Sequence, residues 1–208
     1  PTRQGPDEQS SLVRTDSEVS QQNREGSSKA LDARLSDSEV RLAVKLLLGF
    51  LQQTIQALGV SNDSVMQSYL RRVLHLCASC CAWPRFKREL MRGRIVGQLQ
   101  PILAALHPPI CHLHALQILT DLTAEEDYHQ WVNQDEMLQV VPPTIGLLRD
   151  GDIEQGVREQ AVRAVKNLAL DDVLRDAIMR QSGVLEALVL ACRADCCVVL
   201  QEQAARAL

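Results

Sequence analysis

The sequence has few aromatic residues, and it lacks the short motifs that mark common classes of enzyme. Aromatic side chains make up only 3% of the 208 residues, so Leu, Val, Ile and Ala must fill the core. This composition favours packing of helix on helix over a β-sandwich, whose strands prefer β-branched and aromatic residues. The chain contains no Gly-rich phosphate loop, no G-x-S-x-G and no H-E-x-x-H. We therefore predict a helical protein that is not an enzyme and needs no cofactor.

The chain also lacks a strong excess of charge and a long uninterrupted apolar run. Its net charge of -4 gives no reason to expect nucleic-acid binding. No apolar run reaches the roughly 18–20 residues of a membrane span, and no signal peptide is visible. The seven cysteines are an odd number, which favours reduced, buried thiols over a disulfide framework. These features predict a cytoplasmic or nuclear protein that binds neither nucleic acid nor membrane.

Composition divides the chain into a polar head and an apolar remainder. Residues 1–35 are rich in Ser, Gln and charged residues, so we expect a disordered head or linker. Order is predicted to begin at Ser36, which forms an S-x-x-E capping box with Glu39. Residues 36–82 are predicted to form a helical hairpin whose first helix ends at Gly59, and Ser61, Asn62 and Asp63 offer caps for its second helix. The predicted apolar positions of its second helix are Val65, Tyr69, Leu70, Val73, Leu76, Cys77 and Cys80.

The stretch Val157–Leu170 recurs along the chain. Its pattern of small and apolar residues is found 46 residues earlier in Cys111–Leu122 and 43 residues later in Leu200–Leu208. Two shorter segments, around Leu90 and Leu103, recur after 42 residues. A period of about 40–47 residues is typical of helical solenoids. We therefore predict repeats of a short, a medium and a long helix over residues 83–208. The last repeat is truncated, so we expect a fragment of a larger protein.

Three-helix units of this length resemble armadillo repeats. The resemblance is carried by Ala177–Leu208, with a Gly turn at Gly183, and by Val140–Leu148 and Ala164–Ala169. It implies an all-α, right-handed superhelix in which residues 36–82 form a degenerate first repeat or a cap. More narrowly, Leu119–Val132 resembles the armadillo regions of TPR-plus-armadillo assembly factors and UNC-45-like co-chaperones.

The resemblance implies that the third helices line a concave groove. The family uses an Asn late on this helix to hold the backbone of an extended peptide, and Asn167 occupies that position. Importin-like members place a Trp one turn earlier, where this chain has Arg163, which argues against binding of nuclear-localisation signals. Guanidinium groups suit acidic or polar segments, although Arg163 and Arg206 fit equally well as solvated residues with local ion partners. The predicted groove residues are Arg71, His75, Gln117, Asp121, Arg163, Lys166, Asn167 and Arg206.

Two other clusters have a functional and a structural interpretation. Cys77, Cys80, Cys111 and His114 are candidate zinc ligands, but the cysteines also occupy apolar helix positions, which favours buried thiols. A basic run over residues 71–94 is a candidate phosphate contact, but a solvated face is the simpler interpretation.

The predicted function is that of a protein-interaction scaffold whose groove binds a protein or peptide partner. The alternative is a co-chaperone or assembly-factor module that holds client proteins, such as those of myosin or dynein assembly. A zinc-binding protein is the third alternative. Nothing in the sequence indicates the oligomeric state.

Overall fold

The computed structural model describes residues 35–60, 63–105, 107–124, 128–193, 201–202 and 206. The chain divides into two compact units, residues 1–35 and 36–208. Nearly all of the predicted head lies outside the described residues, so only the second unit is considered below. Its described part contains nine α-helices and no strand, which confirms the all-α prediction. The helices are α1 Asp37–Val60, α2 Ser64–Cys80, α3 Pro84–Arg92, α4 Ile95–Ala104, α5 Pro109–Leu122, α6 Gln134–Arg149, α7 Gln155–Leu168, α8 Asp172–Met179 and α9 Val184–Arg193.

The first two helices begin at the predicted polar caps. The Ser36 backbone N–H donates to Glu39 Oε2 over 2.7 Å, and the Glu39 N–H donates to Ser36 Oγ over 3.3 Å. Asp63 caps α2 by accepting from the Val65 N–H over 3.0 Å. These bonds satisfy amide donors that have no partner inside the helix. The first helix continues to Val60, one residue past Gly59.

Six of the helices pack in two rows. In one row α2 contacts α5 and α5 contacts α7; in the other α1 contacts α4 and α4 contacts α6. Neighbours across the rows pair as α1 with α2, α4 with α5, and α6 with α7. The short helices α3 and α8 pack on α1 and α6 respectively. This arrangement places α2, α5 and α7, which carry most of the predicted groove residues, side by side.

The second three-helix unit departs from the predicted order of short, medium and long. Its first element is only a 3-10 turn, Tyr128–Gln130, and its middle helix α6 is longer than α7. Helix α6 begins at Gln134 because Asn133 caps it, accepting from the Asp135 N–H over 2.8 Å. Repeat alignment alone did not reveal this cap.

The predicted apolar stripe of α2 is partly wrong. Leu74, which the prediction omitted, is completely buried, whereas Leu76 is 53% exposed. Val65 and Tyr69 are exposed as well. Because α2 packs against α1 and α5, its core positions follow the 3.6-residue period on that side, and neighbouring apolar residues on the other side stay uncovered. The buried residues of α2 are Leu70, Leu74, Cys77, Ala78 and Cys80.

Helix α1 is more apolar than the sequence prediction allowed. Its segment Asp37–Gly59 is long and apolar enough to cross a membrane by length and composition, with 28% of the most apolar window buried inside the protein. The expectation of no such segment assumed an uninterrupted apolar run, whereas α1 tolerates isolated charges such as Lys45. The property is weak evidence for a membrane span, since core helices share it. In this structure Val44, Leu48 and Leu51 belong to the buried core.

Candidate functional site

A cleft of about 510 Å³ lies where α2, α3 and α5 meet. Three of the predicted groove residues line it, namely His75 from α2 and Gln117 and Asp121 from α5. We call it the α2–α5 cleft. Its full lining is His75, Ala78, Ser79, Cys81, Ala82, Lys87, His114, Gln117, Asp121 and Ala124.

Helical spacing brings the polar residues of α5 to one side. His114, Gln117 and Asp121 are three and four residues apart, so they follow each other along one face of the helix. The His114 ring lies 5.1 Å from the His75 ring, centroid to centroid, across the contact between α2 and α5. The imidazoles of His75 and His114 therefore form part of the cleft wall. The Gln117 amide and the Asp121 carboxylate lie on α5 together with His114.

Burial shifts the pKa values of the two ionisable residues of α5 that line the cleft, His114 and Asp121. It raises the pKa of Asp121, and Lys87 opposes this shift by favouring the carboxylate. Burial also lowers the pKa of His114, and the neighbouring His75 adds to the effect, while a hydrogen bond with Gln117 opposes it. Burial thus favours the neutral form of His114 and disfavours the ionised form of Asp121.

Three buried polar atoms along α5 and α7 have no hydrogen-bond partner in the described part of the chain. They are His114 Nδ1, Thr120 Oγ1 and Arg163 Nε. Buried polar atoms are nearly always paired, because burying one without a partner costs free energy. The helices that carry these atoms, α5 and α7, pack side by side.

The structure gives Asn167 a contact within the protein. The residue is only 7% exposed, and its Nδ2 donates to the Thr120 carbonyl oxygen over 3.1 Å. One amide hydrogen of Asn167 therefore joins α7 to the end of α5. Its role in holding a partner's backbone stays a prediction.

The predicted basic residues of the groove differ in their surroundings. Arg206 is exposed and pairs with Glu202 over 2.6 Å, as the solvated interpretation expected. Arg71 is exposed, whereas Arg163 and Lys166 are half-buried. Neither Arg71 nor Arg163 forms an ion pair with another described residue. Both arginines are therefore available to an acidic group.

Sequence reasoning did not include His114, Thr120 or Lys87 in the groove. The position of His114 was predictable from the sequence, because its spacing from Gln117 and Asp121 places it on the same face of α5. It was instead grouped with the cysteines by residue type. The contribution of Lys87 depends on how α3 packs, which no local pattern in the sequence reports.

The Cys/His set does not converge on a metal site. Across the described residues, no group of three or more His, Cys, Asp or Glu side chains is placed to hold a metal ion. Burial raises the pKa of Cys77 to about 12 and that of Cys80 to about 11, and it raises the pKa of Cys81 and Cys111 as well. These four cysteines are free thiols that lie in the buried core of the described chain.

The basic run is broken up by ion pairs. Arg85 pairs with Asp37 at 2.5 Å and Arg92 pairs with Glu89 at 2.6 Å. The Arg92 guanidinium also lies 4.5 Å from the ring centroid of Trp131, a cation–π contact. These contacts favour a structural role for the run over phosphate binding.

A larger cleft, of about 980 Å³, lies between α4, α5 and α6. It is mostly apolar and contains none of the predicted groove residues. His112 on its edge is buried, with Nε2 3.0 Å from the Ala105 carbonyl oxygen, so this histidine already has a structural partner.

Comparison with known proteins gives a fold and no family. No protein-family model and no curated protein matches the sequence. Among solved structures, the chain is similar to two engineered proteins of the Northeast Structural Genomics Consortium, with TM-scores of 0.58 and 0.57. Sequence identities are 20% and 21%, and 94% of this chain aligns with 74% and 76% of those chains. At this identity the similarity concerns the fold alone.

Proposed function

We propose that the protein is an armadillo-type scaffold that binds an extended protein segment along the row formed by α2, α5 and α7. The single observation that carries this proposal is the convergence of His75, Gln117 and Asp121, predicted from repeat alignment, on one polar cleft. Residues 42–46 positions apart in the sequence come together there because the helices bearing them pack as neighbours.

The superhelical arrangement is part of the proposal. Support comes from the sequence period of about 40–47 residues, which is typical of armadillo and HEAT arrays. The two rows of helices, in which each helix contacts the corresponding helix of the next unit, are what such stacking requires. In this architecture the row α2–α5–α7 is the inner row that faces a partner.

An extended segment suits this row better than a folded surface or an apolar client. A peptide backbone presents an N–H donor and a carbonyl acceptor at nearly every residue. The exposed side chains of His75 and Gln117, which line the α2–α5 cleft, offer complementary groups. The polar lining of the α2–α5 cleft therefore favours a defined segment over the client-holding alternative.

The charges of the row favour an acidic or polar segment. Arg71 and Arg163 have no ion partner among the described residues, and a guanidinium pairs with carboxylate through two parallel hydrogen bonds. Asp121 is the opposing charge in the cleft, and burial disfavours its ionised form. A partner carboxylate near Arg163 would be stabilised most.

A peptide-display selection tests this proposal, followed by affinity measurement by fluorescence anisotropy. We expect enrichment of sequences with Asp and Glu, and at least tenfold weaker binding by Arg163→Gln, which corresponds to about 1.4 kcal/mol. Arg180→Gln, an exposed arginine of the C-terminal end of α8, is the matched control and should leave affinity unchanged. Equal affinity of the wild type and Arg163→Gln for every selected peptide would contradict the proposal.

A further inference from the structure

The helical hairpin α1–α2 carries an uncovered apolar surface. Six large side chains on it are each between 53% and 59% exposed. Helix α1 contributes three of them at intervals of four residues, which is the spacing of one helix face. They are Leu42, Leu46, Phe50, Val65, Tyr69 and Leu76, and we call them the hairpin face.

The hairpin face points away from the contacts that the two helices make with the following unit. On α1, Asp37 and Arg41 mark the side that meets α3, through ion pairs with Arg85 and Glu89. On α2, His75 marks the side that meets α5. At 100° per residue, the exposed residues of α1 lie about 100–180° around from Asp37 and Arg41, and those of α2 lie about 80–120° around from His75. The hairpin face is therefore outside the packing between described units.

The amount of apolar surface is large for a face without a partner. Large side chains bury roughly 150–250 Å² each, so six that are about half exposed leave on the order of 500 Å² accessible. Monomeric proteins rarely expose contiguous apolar patches beyond a few hundred Å². Two such faces together would bury about 1,000 Å², the size at which specific protein interfaces begin.

From this surface we propose that the hairpin face binds the hairpin face of a second copy of the chain, giving a twofold-symmetric dimer. A twofold interface pairs a patch with itself, so any charge at its centre meets a like charge. The six large side chains that would form the centre of such an interface are uncharged, and the exposed Arg72 beside them on α2 would lie at its rim, in water. Two antiparallel helices from each copy then form a four-helix arrangement with a shared apolar core. The proposal is independent of the peptide-binding function.

Sedimentation equilibrium of the full chain over a range of concentrations tests the proposal. We expect a mass that rises with concentration and levels off at two copies. Leu46→Glu places a charge at the centre of the hairpin face and should weaken association by at least tenfold. Leu170→Glu is the matched control, because Leu170 is also exposed but follows α7. Both leucines are exposed, so both variants should keep the wild-type circular dichroism spectrum, and the wild-type unfolding midpoint at concentrations where all three proteins are monomeric.

Three results would overturn the proposal. One is a wild-type chain that stays monomeric at every concentration. Another is equal weakening by Leu46→Glu and Leu170→Glu, which would place the interface elsewhere. The third comes from flotation with anionic phospholipid vesicles: a monomer that binds them through Leu46 would assign the hairpin face to a lipid surface.

Discussion

The α2–α5 cleft and the hairpin face lie on the same helix α2 but present opposite chemistry. The cleft gathers histidine, amide and carboxylate groups, whereas the hairpin face consists of large apolar and aromatic side chains of α1 and α2. The cleft presents exposed polar side chains, His75 and Gln117, which favour a ligand that supplies hydrogen bonds. Any surface that covers the hairpin face and removes it from water binds favourably, because apolar surface is buried. Helix α2 thus contributes to a surface whose interactions are directional and to one whose interactions are not.

The largest expected effect contrasts two leucines on α2. Leu74→Ala should lower the free energy of unfolding by about 2–5 kcal/mol, because it opens a cavity in a completely buried position. Leu76→Ala, on the hairpin face, should change it by roughly 0.5 kcal/mol or less. Urea denaturation at low protein concentration measures both. Similar losses for the two variants would mean that the hairpin face is covered within the chain.

An intermediate effect is expected at Asn167. Asn167→Ala removes the hydrogen bond to the Thr120 carbonyl and should cost about 1–2 kcal/mol of stability. Gln139→Ala on α6, an exposed residue, is the control and should be close to neutral. An unchanged unfolding midpoint for Asn167→Ala would mean that this hydrogen bond does not contribute to stability. The Asn167 amide would then be available to bind a partner in the groove.

His114 should make stability depend on pH. Its pKa in the folded chain lies below the ordinary value of 6.5, so the unfolded chain takes up the proton first. As the pH falls through 6.5 toward the folded-state pKa, the free energy of unfolding should decrease. His114→Gln should lose less stability than the wild type over the same interval, measured by urea denaturation at several pH values. An identical pH profile for both proteins would show that the imidazole is solvated.

The smallest effect is expected at Asp121, with the opposite sign. Its pKa is raised above 3.8, so the folded chain takes up the proton first as the pH falls, and stability should rise toward pH 3.8. Asp121→Asn should therefore be more stable than the wild type at neutral pH, with a difference that shrinks on acidification. Asp176→Asn on α8, which is exposed, provides the comparison and should show little difference. A destabilised Asp121→Asn would mean that contact with Lys87 outweighs burial.

Local sequence patterns predicted where helices begin better than they predicted which side of a helix is exposed. The caps at Ser36 and Asp63 were predictable because a few neighbouring residues determine them. The burial of Leu74 rather than Leu76 depends on which side of α2 meets α1 and α5, so apolar spacing on one helix did not identify it.

The same difference is found at the candidate site, where some contacts were predictable from the sequence and others were not. Alignment of the repeats predicted that His75 and Asp121 lie close together, because corresponding positions of stacked units are neighbours. It did not predict that Asn167 would bond to Thr120, since that contact depends on the depth at which α7 packs against α5. Lys87 was missed for a related reason, because it reaches the cleft from a different helix.

The most direct measurement of the central claim is site-specific photo-crosslinking to a selected acidic peptide. A photoreactive residue in place of Gln117 reports on the α2–α5 cleft, and one in place of Gln139 reports on the larger apolar cleft. Both glutamines are exposed, so neither replacement should disturb the core. The account predicts crosslinks from position 117 that Arg163→Gln diminishes, and little product from position 139. Crosslinks from position 139 alone would contradict it.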